Sequence, residues 1–331
     1  MSVRLVQLRR GSDRRVALVD EPGLRIVDRY ESVYAVAQAA LATSKSISSL
    51  ITTGERFGYD EIYDGRSDWH LLAPIDHPVD AARLLVSGTG LTHLGSAANR
   101  QTMHEVKESE MTDSMKMFRW GVEGGRPAKG QVGISPEWFY KGSGTILRGP
   151  GEPLVIPAFG EDGGEEAEIA GVYIIADDGT PWRIGMCNGN EFSDHKYEKR
   201  NYLNLASSKI RTCSLGPEIV VDPQFGSVAG TATIVRDGAT LWSKDIVTGE
   251  SDMCHSLQNV EHHHFKFETH RRPGDAHVHY FGACSLSFGD GIELDNGDIM
   301  EVHFEGFGRP LRNPVQIDRA ANSLVTIQSL A

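Results

Sequence analysis

Residues Gly164-Glu165-Glu166-Ala167-Glu168-Ile169-Ala170-Gly171-Val172-Tyr173-Ile174-Ile175 run from an acidic cluster straight into an apolar stretch that reads as a strand. Side chains alternate along a strand, so Glu166 and Glu168 share one face with Ala170 and Val172, while Glu165 points to the other. Two carboxylates forced side by side repel unless a proton or a cation lies between them, which makes the pair a candidate site for a hard cation, Mg2+ or Mn2+. The competing reading is a solvated acidic loop ahead of an edge strand. Downstream, Asn188-Gly189-Asn190-Glu191-Phe192-Ser193-Asp194 follows a short strand-like segment, Trp182 to Met186, and offers a third carboxylate in Glu191. Three carboxylates plus water form an octahedral Mg2+ site whose open positions accept a bidentate ligand such as a 2-oxo acid. The alternative is a polar turn with Glu191 simply exposed.

Outward from this core, Pro136 to Pro314 is rich in glycine and in short alternating segments, with turn signals at Gly149-Pro150-Gly151, Asp178-Gly179, Asp237-Gly238 and Asn296-Gly297. Such spacing predicts mostly antiparallel sheet, and Thr231 to Trp242 reads as a hairpin across Asp237-Gly238. The start of the chain reads as a strand (Val3 to Leu8), a Gly11-Ser12-Asp13 turn, a strand (Arg15 to Val19) and a helix from Ser32 to Thr43, a small α+β module. Leu71 to Pro78 carries two prolines and little periodicity, which places a boundary there. The expected division is a small N-terminal domain, residues 1–75, and a larger mainly β domain, residues 76–331.

The composition is that of an ordinary globular chain. It has 331 residues, 33 Lys+Arg against 45 Asp+Glu for a net charge of −12, 40% hydrophobic residues and 24% charged. Cys187, Cys213, Cys254 and Cys284 lie far apart with no C-x-x-C pair, which argues against a zinc finger, a thioredoxin motif or a disulfide framework and fits a reducing cytoplasm. The N-terminus lacks the apolar core of a signal peptide and no stretch is apolar enough to span a bilayer, so neither secretion nor a membrane is expected. An acidic chain without a long basic run has little to neutralise a phosphate backbone, and nucleic acid is not an expected partner. An anionic substrate would need a local cation or metal to hold it.

E-x-E on a strand, the N-E-F-S turn and Cys213-Ser214-Leu215-Gly216-Pro217 together resemble the fumarylacetoacetate hydrolase superfamily. Further elements fit in order: Pro136-Glu137-Trp138-Phe139-Tyr140-Lys141-Gly142 resembles its P-x-x-F-x-K element, followed by Gly149-Pro150-Gly151 and Ile156-Pro157. Asp237-Gly238 with Gly249-Glu250-Ser251-Asp252-Met253, and Gly297-Asp298-Ile299-Met300-Glu301-Val302 with Gly306-Phe307-Gly308 and Leu311-Arg312-Asn313-Pro314-Val315, complete the series over about residues 80 to 315. The resemblance implies a β-roll C-terminal domain, a small α+β N-terminal domain, a homodimer, and a divalent ion held by Glu166, Glu168 and Glu191. Glu191 stands where the family usually has Asp, so its longer arm needs a shifted backbone. Lys141, Ser193 and Ala283 would line the substrate, and Lys209 is a further contact in an uncertain register.

Hydrolytic members activate water with a histidine paired to a glutamate. The corresponding segment here is Val86 to His93, with His104-Glu105 downstream, so His93, His104 and Glu105 join Lys209 as proton-transfer candidates; a histidine near its ordinary pKa of about 6.5 suits that task. An ordinary loop histidine is the alternative. Where hydrolytic members carry T-G-T-P, this chain reads Phe281-Gly282-Ala283-Cys284, which weakens the case for hydrolytic carbon–carbon cleavage. A rival metal site is offered by His262-His263-His264, His270, His277 and His279. However, Leu257, Val260, Glu261, His264 and Phe265 form an amphipathic helical stripe, and consecutive helical histidines cannot converge on one ion.

The chain is most similar to the sugar-acid branch of the superfamily. That resemblance implies a metal-dependent lyase, a dehydratase of a 2-keto-3-deoxy-pentonate of the arabinonate or xylonate series. Its carboxylate and 2-oxo oxygen would chelate Mg2+, with Mn2+ the second candidate ion, and loss of the C4 hydroxyl would lead toward 2-oxoglutarate semialdehyde in cytoplasmic sugar-acid catabolism. The alternative is a metal-dependent hydrolase of an acylpyruvate or diketo sugar acid.

Overall fold

The structure, a computed structural model, describes residues 2–94 and 111–330. The strand Ala167–Ile175 is buried along its whole length, between the strands Pro181–Asn190 and Ala276–Tyr280. A strand covered on both faces needs a continuous apolar run, which is what Ala167 to Ile175 supplies. Ala170, Val172 and Ile174 join Leu84, Val86, Val278 and Tyr280 in one core cluster; Ala167 and Ile169 face a second, with Phe281, Val302 and Phe304.

The main path of the large sheet runs in the order Thr53–Gly58, Gly23–Val27, Asp13–Asp20, Arg4–Arg10, Ile219–Val220, Pro181–Asn190, Ala167–Ile175, Ala276–Tyr280, Leu84–Gly90 and Glu137–Ser143. A second sheet orders Ala239–Thr248, Val228–Arg236, Ile299–Phe304, Leu311–Ile317 and Leu154–Ile156. Most neighbours are antiparallel, as the turn spacing predicts; the strand pair Ala276–Tyr280 and Leu84–Gly90 is parallel. The expected hairpin spans Val228–Arg236 and Ala239–Thr248, with Asp237 at φ 52° and Gly238 at φ 77°. Two successive left-handed residues make the turn whose twist matches the flanking strands, and Asp-Gly is the pair that tolerates it.

At the start of the chain the helix is Val33–Thr43, capped by the Ser32 side chain accepting from the Ala35 amide. The strand Arg4–Arg10 bonds to Ile219–Val220, so the first strands extend the large sheet. We propose residues 1–75 as a folding unit joined to the remainder through that ladder. Among the described residues no helix is long and apolar enough to cross a membrane.

Candidate active site

Register brings the three glutamates together. Ala167–Ile175 and Pro181–Asn190 form an antiparallel hairpin in which Ala167 faces Asn190 and Glu168 faces Gly189. One step beyond the ladder Glu191 lies against Glu166, its amide donating to the Glu166 carbonyl at 3.0 Å. Alternation puts the Glu166 and Glu168 side chains on the same face, and Glu165 points away, accepting from the Ser287 amide (2.7 Å) and hydroxyl (2.6 Å). One carboxylate oxygen from each of Glu166, Glu168 and Glu191 lies within 4.8 Å of the others, all buried.

Cations answer this charge unevenly. The Lys209 ammonium donates to Glu166 Oε1 at 2.5 Å and to Glu191 Oε2 at 2.8 Å, and His195 Nε2 lies 3.1 Å from Glu166 Oε1. Burial raises the Glu166 carboxyl, but Lys209 and His195 outweigh it and hold the group well below the usual carboxylate range. Burial disfavours the Lys209 charge, yet Glu166 and Glu191 override it and hold the ammonium well above its ordinary value. Among the described residues Glu168 is bonded by no cation. It accepts from the Gly282 amide at 2.7 Å, and burial together with Glu191 and Glu166 pushes its pKa well above the ordinary one. A buried, all-oxygen face of three carboxylates, one of them with its pKa raised by burial and its neighbours, fits a hard divalent cation, whose charge would offset theirs.

Lys141 is fully buried and donates to Glu191 Oε1, to the Phe192 and Lys209 carbonyls at 2.6 and 2.9 Å, and more distantly to the Glu191 carbonyl. Ser193 Oγ lies 3.1 and 3.2 Å from the two Glu191 carboxylate oxygens. Ala283 follows Gly282, whose amide reaches Glu168. His93 has both ring nitrogens against threonine hydroxyls, Nδ1 with Thr92 at 3.1 Å and Nε2 with Thr248 at 2.7 Å. Burial lowers its pKa to about 4. His104 and Glu105 lie outside the described residues.

Two residues at this site were not singled out from the sequence. His195 follows the Asn188–Asp194 segment by one position. Glu137 stands four residues before Lys141 on the strand Glu137–Ser143, so Glu137, Phe139 and Lys141 share a face, and Lys209 Nζ sits 4.9 Å over the Phe139 ring. That i, i+4 strand spacing was the available signal. Burial raises the Glu137 carboxyl to about 7, against the Tyr202 hydroxyl and Lys209, which lower it. Gly90, on the neighbouring strand, leaves room for it: a Cβ there would come within 2.0 Å of Glu137 Oε1. A cavity of about 640 Å³ lined by His195, Glu198, Lys199, Tyr202 and Phe288 adjoins the cluster.

No family model matches the sequence, and no curated protein matches it. Solved structures do. A 2-keto-3-deoxy-D-arabinonate dehydratase complexed with magnesium and 2,5-dioxopentanoate is 19% identical and superposes with a TM-score of 0.72 over 96% of this chain and 100% of that one. A 5-carboxymethyl-2-hydroxymuconate delta-isomerase from Mycobacterium smegmatis matches at 18% identity and TM-score 0.58, over 95% of this chain and 100% of that one. A 2-hydroxyhepta-2,4-diene-1,7-dioate isomerase from Mycobacterium marinum matches at 18% and 0.57, over 96% and 99%. The chain shares its fold with these enzymes.

Proposed function

We propose that the protein is a Mg2+-dependent hydro-lyase that dehydrates a 2-keto-3-deoxy-pentonate, of the arabinonate or xylonate series, to 2-oxoglutarate semialdehyde. The observation that carries this reading is the buried triad Glu166, Glu168 and Glu191 beside Lys209, with a second carboxyl, Glu137, poised near pH 7 on the next strands. A similar fold holding magnesium and 2,5-dioxopentanoate in the arabinonate dehydratase supports it. The same reading makes the protein a cytoplasmic homodimer acting on a sugar acid.

The three glutamates would hold the ion, which when bound supplies Lewis-acid polarisation of the substrate carboxylate and 2-oxo oxygen. Glu137 takes the C3 proton, since its carboxyl ionises near neutral pH and a general base works best there. Lys209, held charged by its carboxylates, serves as a fixed cation toward the negative charge that develops on substrate oxygen. Lys141 and Ser193 hold Glu191 in place from behind. The C4 hydroxyl leaves as water; a proton shift from C5 to C3 then gives the C4–C5 enol, and transfer of its hydroxyl proton to C4 gives the semialdehyde, so one water is lost overall and every carbon stays in one product.

Incubation of the protein with 2-keto-3-deoxy-pentonates and with an acylpyruvate, with and without EDTA, tests this by product mass. A loss of 18 mass units from a sugar acid that EDTA prevents is the expected result, and cleavage of the acylpyruvate into two products would overturn it.

Gly90→Ala separates chemistry from folding. The new Cβ meets the end of a flexible side chain, so the Glu137 carboxyl is displaced and the backbone stays. Turnover should fall by about 10²-fold, the usual worth of a positioned general base, with a small change in melting temperature. Gly88→Ala, whose Cβ would lie 2.4 Å from the Phe139 ring, should instead lower the melting temperature through overpacking. Unchanged turnover in Gly90→Ala would remove Glu137 from the mechanism.

A further inference from the structure

A second buried cluster of titratable groups lies on the other side of the Glu137–Ser143 strand. His264 of the helix Leu257–Phe265, His270 of the following turn, and His277 and His279 of the strand Ala276–Tyr280 meet there. The ring of His264 is 4.6 Å from that of His279, 4.7 Å from His270 and 5.0 Å from His277. Among the described residues the acidic triad alone gathers three ligand atoms within 4.8 Å; these imidazoles instead spend their nitrogens on hydrogen bonds.

Trp138 dictates their tautomers. Its indole N–H, which can only donate, points at His264 Nδ1 at 3.2 Å, so Nδ1 is the bare nitrogen and Nε2 carries the proton. His264 Nε2 then donates to His277 Nδ1 at 3.0 Å, leaving the proton of His277 on its buried Nε2. Ser87 Oγ lies 3.3 Å from His264 Nδ1 and 2.9 Å from His279 Nδ1, and Thr89 Oγ1 lies 2.6 Å from His279 Nε2. Burial holds His264 well below the ordinary histidine value and His277 and His279 down to about 3, so these three rings are neutral at physiological pH.

Glu137–Ser143 ends the large sheet, paired on one side with Leu84–Gly90 in a ladder whose register shifts at Val86/Ser87. A strand tied along one edge needs a second anchor if it is to hold a side chain in a productive place. Trp138 sits between Glu137 and Phe139, on the face opposite theirs, and its ring packs 5.6 Å from His270 and 6.2 Å from Phe267. We propose that His264 is a positioning residue: by accepting the Trp138 indole proton it anchors the edge strand, and through it holds the Glu137 carboxyl in its buried place beside Tyr202 and Lys209. The catalytic consequence rests on the proposed role of Glu137; the structural consequence does not.

The test is the titration of Glu137 followed by NMR in protein carrying 13C-labelled glutamate carboxyls, with Glu137→Gln assigning the signal. The charged and titratable groups that face Glu137 are Tyr202, Lys209, Glu198 and Glu166; those that face His264 are His270, His277 and His279. His264→Leu removes the acceptor, and Glu137 should titrate lower than its wild-type value by about one pH unit or more as the carboxyl reaches water. His264→Asn, whose side-chain oxygen accepts the indole proton, should keep the wild-type titration. Should His264→Leu fail to fold, Trp138→Phe removes the same bond from the other end and carries the same expectation. A Glu137 titration unmoved by His264→Leu or Trp138→Phe, or moved equally by His264→Asn, would overturn the proposal. Turnover supplies a second readout, a lower kcat with unchanged dependence on Mg2+ concentration. The NMR result decides the anchoring even if no substrate is turned over.

Discussion

Glu168→Gln should abolish Mg2+-dependent turnover, by about 10³-fold or more, while the metal-free protein melts no lower than wild type. Glu168 is buried, shares its face with Glu166 and Glu191, and has the Gly282 amide as its hydrogen-bond donor. An amide of the same shape keeps that bond through its carbonyl oxygen and stays uncharged beside Glu166 and Glu191, so the fold loses nothing. What it loses is an anionic ligand. The thermal shift that Mg2+ produces in the wild type, which follows from binding the folded state alone, should vanish in the variant. Because burial, with Glu191 and Glu166, pushes the Glu168 carboxyl well above its ordinary pKa, the Mg2+ affinity of the wild type should rise with pH, readable by calorimetry across a pH series. Glu165→Gln is the matched control: its carboxylate points away to Ser287, so it should change stability and leave the Mg2+ response in place. Full Mg2+-dependent activity in Glu168→Gln would sink the metal assignment.

Glu137→Gln should behave in the opposite manner, keeping the Mg2+ thermal shift and losing turnover by about 10²- to 10⁴-fold. Its carboxyl titrates near 7 because burial disfavours the charge. As a base it must be ionised, so kcat/KM in the wild type should rise with pH through about 7 and level off above it. In Tyr202→Phe the phenol that lowers this pKa is gone, and the rising limb should move to higher pH. The sign also holds for folding: a carboxyl raised in the native state binds its proton more tightly there than in the unfolded chain. Its contribution to stability is full below the unfolded value and is lost as pH climbs through about 7. A wild-type profile with no limb near 7, or a Glu137→Gln enzyme that retains turnover, would assign the proton to another group.

Much of the site could be read in advance because it depends on local periodicity. The alternation that separates Glu165 from Glu166 and Glu168 is a property of any strand, and the Ser287 contacts of Glu165 follow it. The Asp237-Gly238 hairpin, the Ser32 cap and the helix behind it likewise rest on residues a few positions apart. Lys209, uncertain in register, proved to reach two of the three glutamates. Glu137 and His195 escaped notice because each stood beside a residue or segment already singled out; beyond the spacing of Glu137 to Lys141, what marks them is burial and the company of Lys209 and Glu166.

The amino-acid sequence by itself determined the strands, the faces on which their carboxylates lie, and the segment that supplies the third, because side-chain direction in a strand is set by period and the Asn188–Asp194 turn by its composition. Only the tertiary structure decided which of these elements meet. The hairpin register sets Glu191 against Glu166, and sheet order brings Glu137 of a distant segment up to Lys209. Helical geometry correctly keeps His262, His263 and His264 from converging, yet packing gathers His264 with His270, His277 and His279 around Trp138. Such contacts join residues far apart in the chain, and burial by the whole core shifts their titration: it pushes Glu168 well above its ordinary pKa, moves Glu137 to about 7, and lowers His264, His277 and His279.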